Sequence, residues 1–324
     1  MLKIGIVGTG WFSGVHGKIL STMEGVQIKA VLGTTKQKAD EFAYEFDHAK
    51  GYGNFVEMLD CEKLDAVYIC VPPFAHGELE LQLIERGIPF LVEKPLSVDL
   101  EVPKQVISKL QRNPLITSVG YHFRYRDSVK FLKNELENST LGMVTGGWMG
   151  SMPTVSWWRN QETSGGQFVE QTTHLVDLLR YSAGEVEEVY AVFGSRSLHK
   201  TYDFVTVPDI GTVTLKMKSG VIANLSNTCI LPDGDSKVGL DYYSDKGILH
   251  INHDRLEKSI GGLKSVHQDT VDPYLLENEA FLHAVRTGDS SRVLSNYYDA
   301  FRTQEVAVAA LKSAESGEPV KINL

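Results

Sequence analysis

Uninterrupted apolar runs alternate with stretches of helical spacing through the first third of the chain. Lys3-Ile4-Gly5-Ile6-Val7 reads as a buried strand, followed by a helix-like run to Leu20. Val26–Leu32 predicts a second strand and Lys36–Phe46 a helix. Asp65–Val71, Ile88–Val92 and Leu115–Val119 predict further strands, with helices between them from near His76 to about Arg86 and over Asp99–Leu110. Strands apolar at consecutive positions fit a parallel sheet covered on both faces. The pattern changes at Gly120-Tyr121-His122-Phe123-Arg124-Tyr125. Beyond it, strands are long and alternating, near 186–195, 211–218, 220–230, 236–244 and 247–252. The expected helices there are Asp127 (as N-cap) to Glu137, Gln167–Tyr181, Pro273–Val285 and Ser295–Lys312. Strands alternating with helices, then a run of strands, predict two domains: a doubly wound parallel sheet, then a mostly antiparallel one.

The first strand ends at Gly8-Thr9-Gly10-Trp11-Phe12-Ser13-Gly14-Val15-His16. Gly8 allows a sharp turn, Gly10 leaves bare backbone for a ligand, and the helix that follows points N–H groups at that space. This suits a pyrophosphate. The third glycine of G-x-G-x-x-G falls at Ser13, small enough for close packing. At the end of the second strand, where an acid often holds a ribose hydroxyl, stand Gly33-Thr34-Thr35-Lys36. Hydroxyls and a lysine accept a 2′-phosphate that an acid would repel, which leans the expectation to NADP over NAD. His76, after Pro72-Pro73, lies where ligands bind such sheets, although a capping or surface role fits it equally. Lys94, at the end of the strand Ile88–Val92, is held on a rigid element and directed to an extended conformation by Pro95.

Composition narrows the classes. The 324 residues are 42% hydrophobic and 23% charged, with net charge −9 and no long Lys/Arg run. That excludes a nucleic-acid binder of the usual basic kind. Three scattered cysteines make neither a disulfide framework nor a zinc cluster. The start lacks the marks of a signal peptide and no run approaches spanning length, so no membrane role is expected and the reducing cytoplasm is the default.

The order and spacing of Gly8–His16, Pro72 with His76, Glu93-Lys94-Pro95, Gly120-Tyr121 through Arg124-Tyr125, the Glu170–Asp177 stretch and Ala314–Val320 resemble the glucose–fructose oxidoreductase/inositol dehydrogenase/MocA family over nearly the whole chain. The resemblance implies an α/β architecture: a Rossmann domain over 1–120 and an α+β domain over 121–324 with a large open sheet. It also implies a nicotinamide in the cleft between them, a last helix (about 295–314) packing on the first domain, and a homodimer or homotetramer through the sheet. Gly8, Gly10, Trp11, Phe12, Thr34, Thr35, Lys36, Pro72, His76, Glu93 and Lys94 are then the cofactor side. Lys94 looks like the lysine beside substrate and nicotinamide, and His174 like the acid–base histidine. Glu170 stands where the family often has Asp, and Thr172 where glycine is common, departures that bear on the substrate more than on the reaction.

A hydride leaves a carbinol carbon only as the hydroxyl proton is removed, and histidine suits that task. A lysine cation stabilises developing oxyanion charge. Glu170 would orient or tune the pair. Tyr121, Arg124, Trp158 and Arg159 offer the aromatic faces and forked donors that a polyhydroxylated substrate needs: a sugar, sugar acid or cyclitol. Glu170, His174 and Asp177 share a helical face at i, i+4 and i+7 and compete as a metal cluster, although no metal is expected. A nucleotide-binding regulator without turnover and a reductase of a non-sugar substrate remain the other outcomes.

Overall fold

The computed structural model describes residues 1–322, which divide into two compact units. Unit 1 comprises Met1–Ser97, Glu101–His122 and Pro273–Ala300; unit 2 comprises Val98–Leu100, Phe123–Asp272 and Phe301 onward.

Unit 1 begins with β1 (Leu2–Val7), α1 (Trp11–Thr22), β2 (Val26–Leu32), α2 (Lys36–Ala43), β3 (Lys50–Tyr52) and α3 (Phe55–Cys61). There follow β4 (Ala66–Ile69), α4 (Glu78–Arg86), β5 (Phe90–Val92), α5 (Glu101–Arg112) and β6 (Thr117–Val119). The strands form one parallel sheet in the order β3-β2-β1-β4-β5-β6. The two halves diverge at β1 and β4, the switch point where such sheets bind ligands. All four residues of β4 and all three of β5 are buried, which explains their unbroken apolar runs.

Unit 2 contains α6 (Asp127–Glu137), β7 (Leu141–Met149), α7 (Gln161–Ser164), a π-helical turn at Phe168–Thr172, and α8 (Thr173–Ala183). Next come β8 (Val186–Gly194), α9 (Leu198–Thr201), β9 (Ile210–Met217), β10 (Ile222–Thr228), β11 (Lys237–Ser244) and β12 (Gly247–Ile251). The hairpin β13 (Arg255–Ile260) and β14 (Leu263–Gln268) leads to α10 (Pro273–Thr287), which belongs to unit 1. α11 (Tyr297–Ser316) and β15 (Val320–Lys321) complete the described chain. The nine-stranded sheet runs β14-β13-β12-β11-β7-β10-β9-β8-β15, with only β7 and β10 parallel. Alternate residues such as Val213, Leu215, Ala223, Leu225, Leu240 and Tyr242 face a core shared with α6, α8 and α11. On strands of the same sheet Val192, Ile222, Tyr243 and Ile248 stay exposed. The helix expected to return to the first domain gives Tyr297–Ala300 to unit 1, while Val306, Ala307, Ala309 and Ala310 join the core of unit 2.

Two local expectations are corrected. Asp127 is the first helical residue rather than the cap, and its carboxylate accepts from the Thr270 hydroxyl at 2.7 Å. The regular helix expected over Gln167–Tyr181 is helical throughout but passes through the π turn before α8, a feature that accumulates at functional sites.

Candidate active site

At the end of β1 the chain turns through Gly8, whose φ is +109° and where a Cβ would meet the Cys70 carbonyl oxygen at 2.2 Å. Only glycine satisfies both conditions. Gly10 caps α1 without a side chain, the first turn holds no acid, and a Cβ on Gly10 would meet nothing within 4 Å. The N–H groups and dipole of that turn therefore face open space, and these residues fit a dinucleotide pyrophosphate. Trp11 stands 69% exposed at the same end, edge-on to Phe12.

Lys94 stands two residues past the end of β5 and is 7% exposed. Its Nζ lies 5.6 Å from the centre of the Phe12 ring, so the strand-end lysine and the first turn of α1 are neighbours. The Lys94–Pro95 peptide is cis. Glu93 is buried and accepts from His16. His76 is buried with both ring nitrogens engaged, Nδ1 at 2.7 Å from Glu80 Oε1 and Nε2 at 3.2 Å from the Val71 carbonyl. The loop carrying Pro72 is thereby tied to α4. Thr34, Thr35 and Lys36 are exposed at the end of β2. Thr35 Oγ1 accepts from the Lys38 N–H as the cap of α2, and Lys36 Nζ donates to both carboxylate oxygens of Asp40 at 2.8 Å. Tyr121, just after β6, is fully buried.

Unit 2 carries the other expected residues. Glu170 sits in the π turn and accepts from Trp158 Nε1 at 3.0 Å. Trp158 is 1% exposed, packed in a small core with Met152, Leu198, Val207 and Cys229. The His174 ring is buried and stacked on Phe123, with centroids 4.8 Å apart, and on Trp148 at 6.0 Å. Arg124 donates through Nε and Nη2 to Asp177 at 2.7 and 2.6 Å, and Thr303 donates to the same carboxylate at 2.9 Å. Arg159 lays its guanidinium 4.8 Å from the Tyr202 ring centre.

On the face shared by Glu170, His174 and Asp177, the Asp177 carboxylate is already engaged. A bidentate guanidinium and a hydroxyl already occupy the Asp177 carboxylate, and a cation there would have to displace a buried ion pair. Among the described residues, the group whose ligand atoms do converge, within 4.8 Å, is His16, Glu93 and Glu277. The stacking partners of His174 and the hydrogen bonds of His16 were missed in the sequence. Phe123 lay in a stretch already singled out, whereas nothing local marks Trp148.

An uncapped helix after a glycine turn, placed at the switch point of a six-stranded parallel sheet, defines a Rossmann-fold protein that binds a dinucleotide. The chain belongs to the GFO/IDH/MocA family of oxidoreductases. The model described as "Oxidoreductase family, NAD-binding Rossmann fold" matches residues 2–121, and the GFO/IDH/MocA C-terminal domain matches residues 137–250. The chain is 26% identical over 340 residues to myo-inositol 2-dehydrogenase of Thermotoga maritima, covering 99% of this chain and 98% of that one. It is 24% identical over 353 residues to glucose-6-phosphate 3-dehydrogenase of Bacillus subtilis, covering 100% and 99%. The solved complex of levoglucosan dehydrogenase with NADH shares the fold, with a TM-score of 0.88 at 17% identity over 99% of each chain.

Proposed function

We propose that this oxidoreductase moves a hydride between a nicotinamide dinucleotide and a hydroxyl or carbonyl carbon of a sugar, sugar acid or cyclitol. The observation that carries the reading is the placement of Lys94: buried, fixed by β5, and beside the first turn of the helix that faces the dinucleotide. The names of the relatives, an inositol dehydrogenase and a sugar-phosphate dehydrogenase, support the substrate class. When bound, the nicotinamide accepts or returns the hydride. His174 takes the hydroxyl proton during oxidation, held in plane by Phe123 and Trp148. Lys94 stabilises the charge on the reacting oxygen. Glu170, held by Trp158, orients or tunes the pair. Of the residues expected on the substrate side, Arg159 is the half-buried one left to meet substrate, while Arg124 and Trp158 act through the carboxylates they hold and Tyr121 supports the site from within the core.

For the choice of cofactor, Lys36 is the deciding residue, because Thr35 is already used as a cap. An exposed ion pair such as Lys36–Asp40 is worth less than about 1 kcal/mol, so this lysine can be redirected to a 2′-phosphate at small cost. NADP is therefore favoured over NAD. The exposed side chains Val192, Ile222, Tyr243 and Ile248 are taken as part of a homodimer or homotetramer surface. The test is fluorescence titration with NADH and NADPH, followed by a panel of polyols and aldoses with each dinucleotide that binds. Saturable binding and reduced-nicotinamide formation with at least one polyol are expected. Binding without turnover on the whole panel would point instead to a regulator.

A further inference from the structure

We infer that His16 is a positioning residue for Lys94, acting through the Glu93 carboxylate, so that the helix facing the dinucleotide also sets the strand-end lysine. The inference rests on the reading of Lys94 given above. Phe12 and His16 are four residues apart on α1 and therefore share one face of that helix. Phe12 meets the Lys94 ammonium, and His16 meets Glu93, its neighbour in sequence. One helical face thus contacts two consecutive residues at the end of β5.

The geometry around Glu93 is closed on several sides. His16 Nε2 lies 3.0 Å from Glu93 Oε1, and a carboxylate only accepts, so the Nε2 proton faces it. His16 Nδ1 is 3.0 Å from the side-chain Nδ2 of Asn278 on α10, which also donates to the Tyr274 carbonyl at 2.7 Å. The second Glu93 oxygen accepts from the backbone N–H of Lys94 itself at 3.3 Å. Behind the carboxylate stands Gly120, where a Cβ would come 2.6 Å from Glu93 Oε2. His16 is fully buried, between the rings of Tyr68 at 5.3 Å and Tyr274 at 6.1 Å. Without the His16 donor, the Glu93 carboxylate would lose a charge-assisted hydrogen bond in a site closed to water. Rotating to recover one would pull on the Lys94 backbone it holds. A displacement of about 1 Å in a reacting group is enough to cost about 10²-fold in rate.

The test uses the full chain with the dinucleotide the parent binds, NADP(H) or NAD(H), and three variants. His16→Phe keeps a flat ring and removes the donor, His16→Gln keeps an N–H donor, and Glu93→Gln keeps the shape and removes the charge. For His16→Phe we expect a folded protein, dinucleotide affinity within about threefold of the parent, kcat lowered about tenfold or more with a smaller change in KM, and a displaced Lys94 side chain in the crystal structure with that dinucleotide. His16→Gln should recover most of kcat, a rescue that a merely structural role would not give. Retention of kcat within about twofold by His16→Phe, with Lys94 unmoved, would overturn the inference. If the parent binds a dinucleotide but oxidises no polyol with it, the dehydrogenase reading fails on its own, and the position of Lys94 in His16→Phe still decides this inference. If His16→Phe does not fold, the same two readouts on Glu93→Gln decide it: a displaced Lys94 with lowered kcat supports it, and an unmoved Lys94 with kcat retained overturns it.

Discussion

Asp209 is buried, and three backbone N–H groups converge on its carboxylate, from Arg196 at 2.8 Å, Ser197 at 2.7 Å and Leu198 at 2.8 Å. Burial pushes such a group up, but the three hydrogen bonds outweigh it and hold Asp209 below the usual carboxylate range. A depressed folded-state value adds stability above the unfolded value near 4, and that stability is lost as pH falls through the folded value. Asp209→Ala should therefore lower stability by about 1–3 kcal/mol at pH 7 in urea unfolding, with the difference from the parent shrinking as pH falls below the unfolded value of about 4. An equal difference on both sides of that value would show that the charge is not its source. The same scale shows what the sequence could not reveal. The forked donors of Arg124 are used, but on Asp177, 53 positions away. Trp158 likewise turns its indole inward to Glu170. Side-chain chemistry is local information, whereas the choice of partner depends on the folded path.

Among the elements, those legible in advance are the ones whose burial writes a period into the sequence. β4 and β5 are apolar throughout because both faces are covered, and β9 to β11 alternate because one face is. The hairpin of β13 and β14 escaped notice because it lies at the sheet edge with Leu256 as its one buried residue, despite the Gly261-Gly262 turn between its strands. β3, three residues long, is too short to carry a period. The π turn escaped because a regular 3.6-residue spacing hides an inserted residue. α10 was expected as an amphipathic helix, but nothing local assigned it to unit 1, where Phe281 and Leu282 enter the core of residues 4–91. Phe281 is fully buried with its ring 5.5 Å from Tyr68. Phe281→Ala should cost about 3–5 kcal/mol in equilibrium unfolding. A loss below about 1 kcal/mol would remove α10 from that core.

At the scale of the molecule, each unit has its own hydrophobic core and its own share of the proposed chemistry: Lys94 in unit 1, Glu170 and His174 in unit 2. Burial pushes Cys229 up to about 12 and Cys70 well above the ordinary thiol value. Among the described residues no helix is long and apolar enough to cross a membrane. The central proposal, that Lys94 and His174 each serve hydride transfer with a polyol, is tested most directly by turnover. Lys94→Ala and His174→Ala are compared with the parent on the same polyol, with dinucleotide affinity measured in the same preparations. The account predicts a loss of about 10²-fold or more in kcat for each variant, with the dinucleotide still bound. Rates near those of the parent in both variants would contradict it.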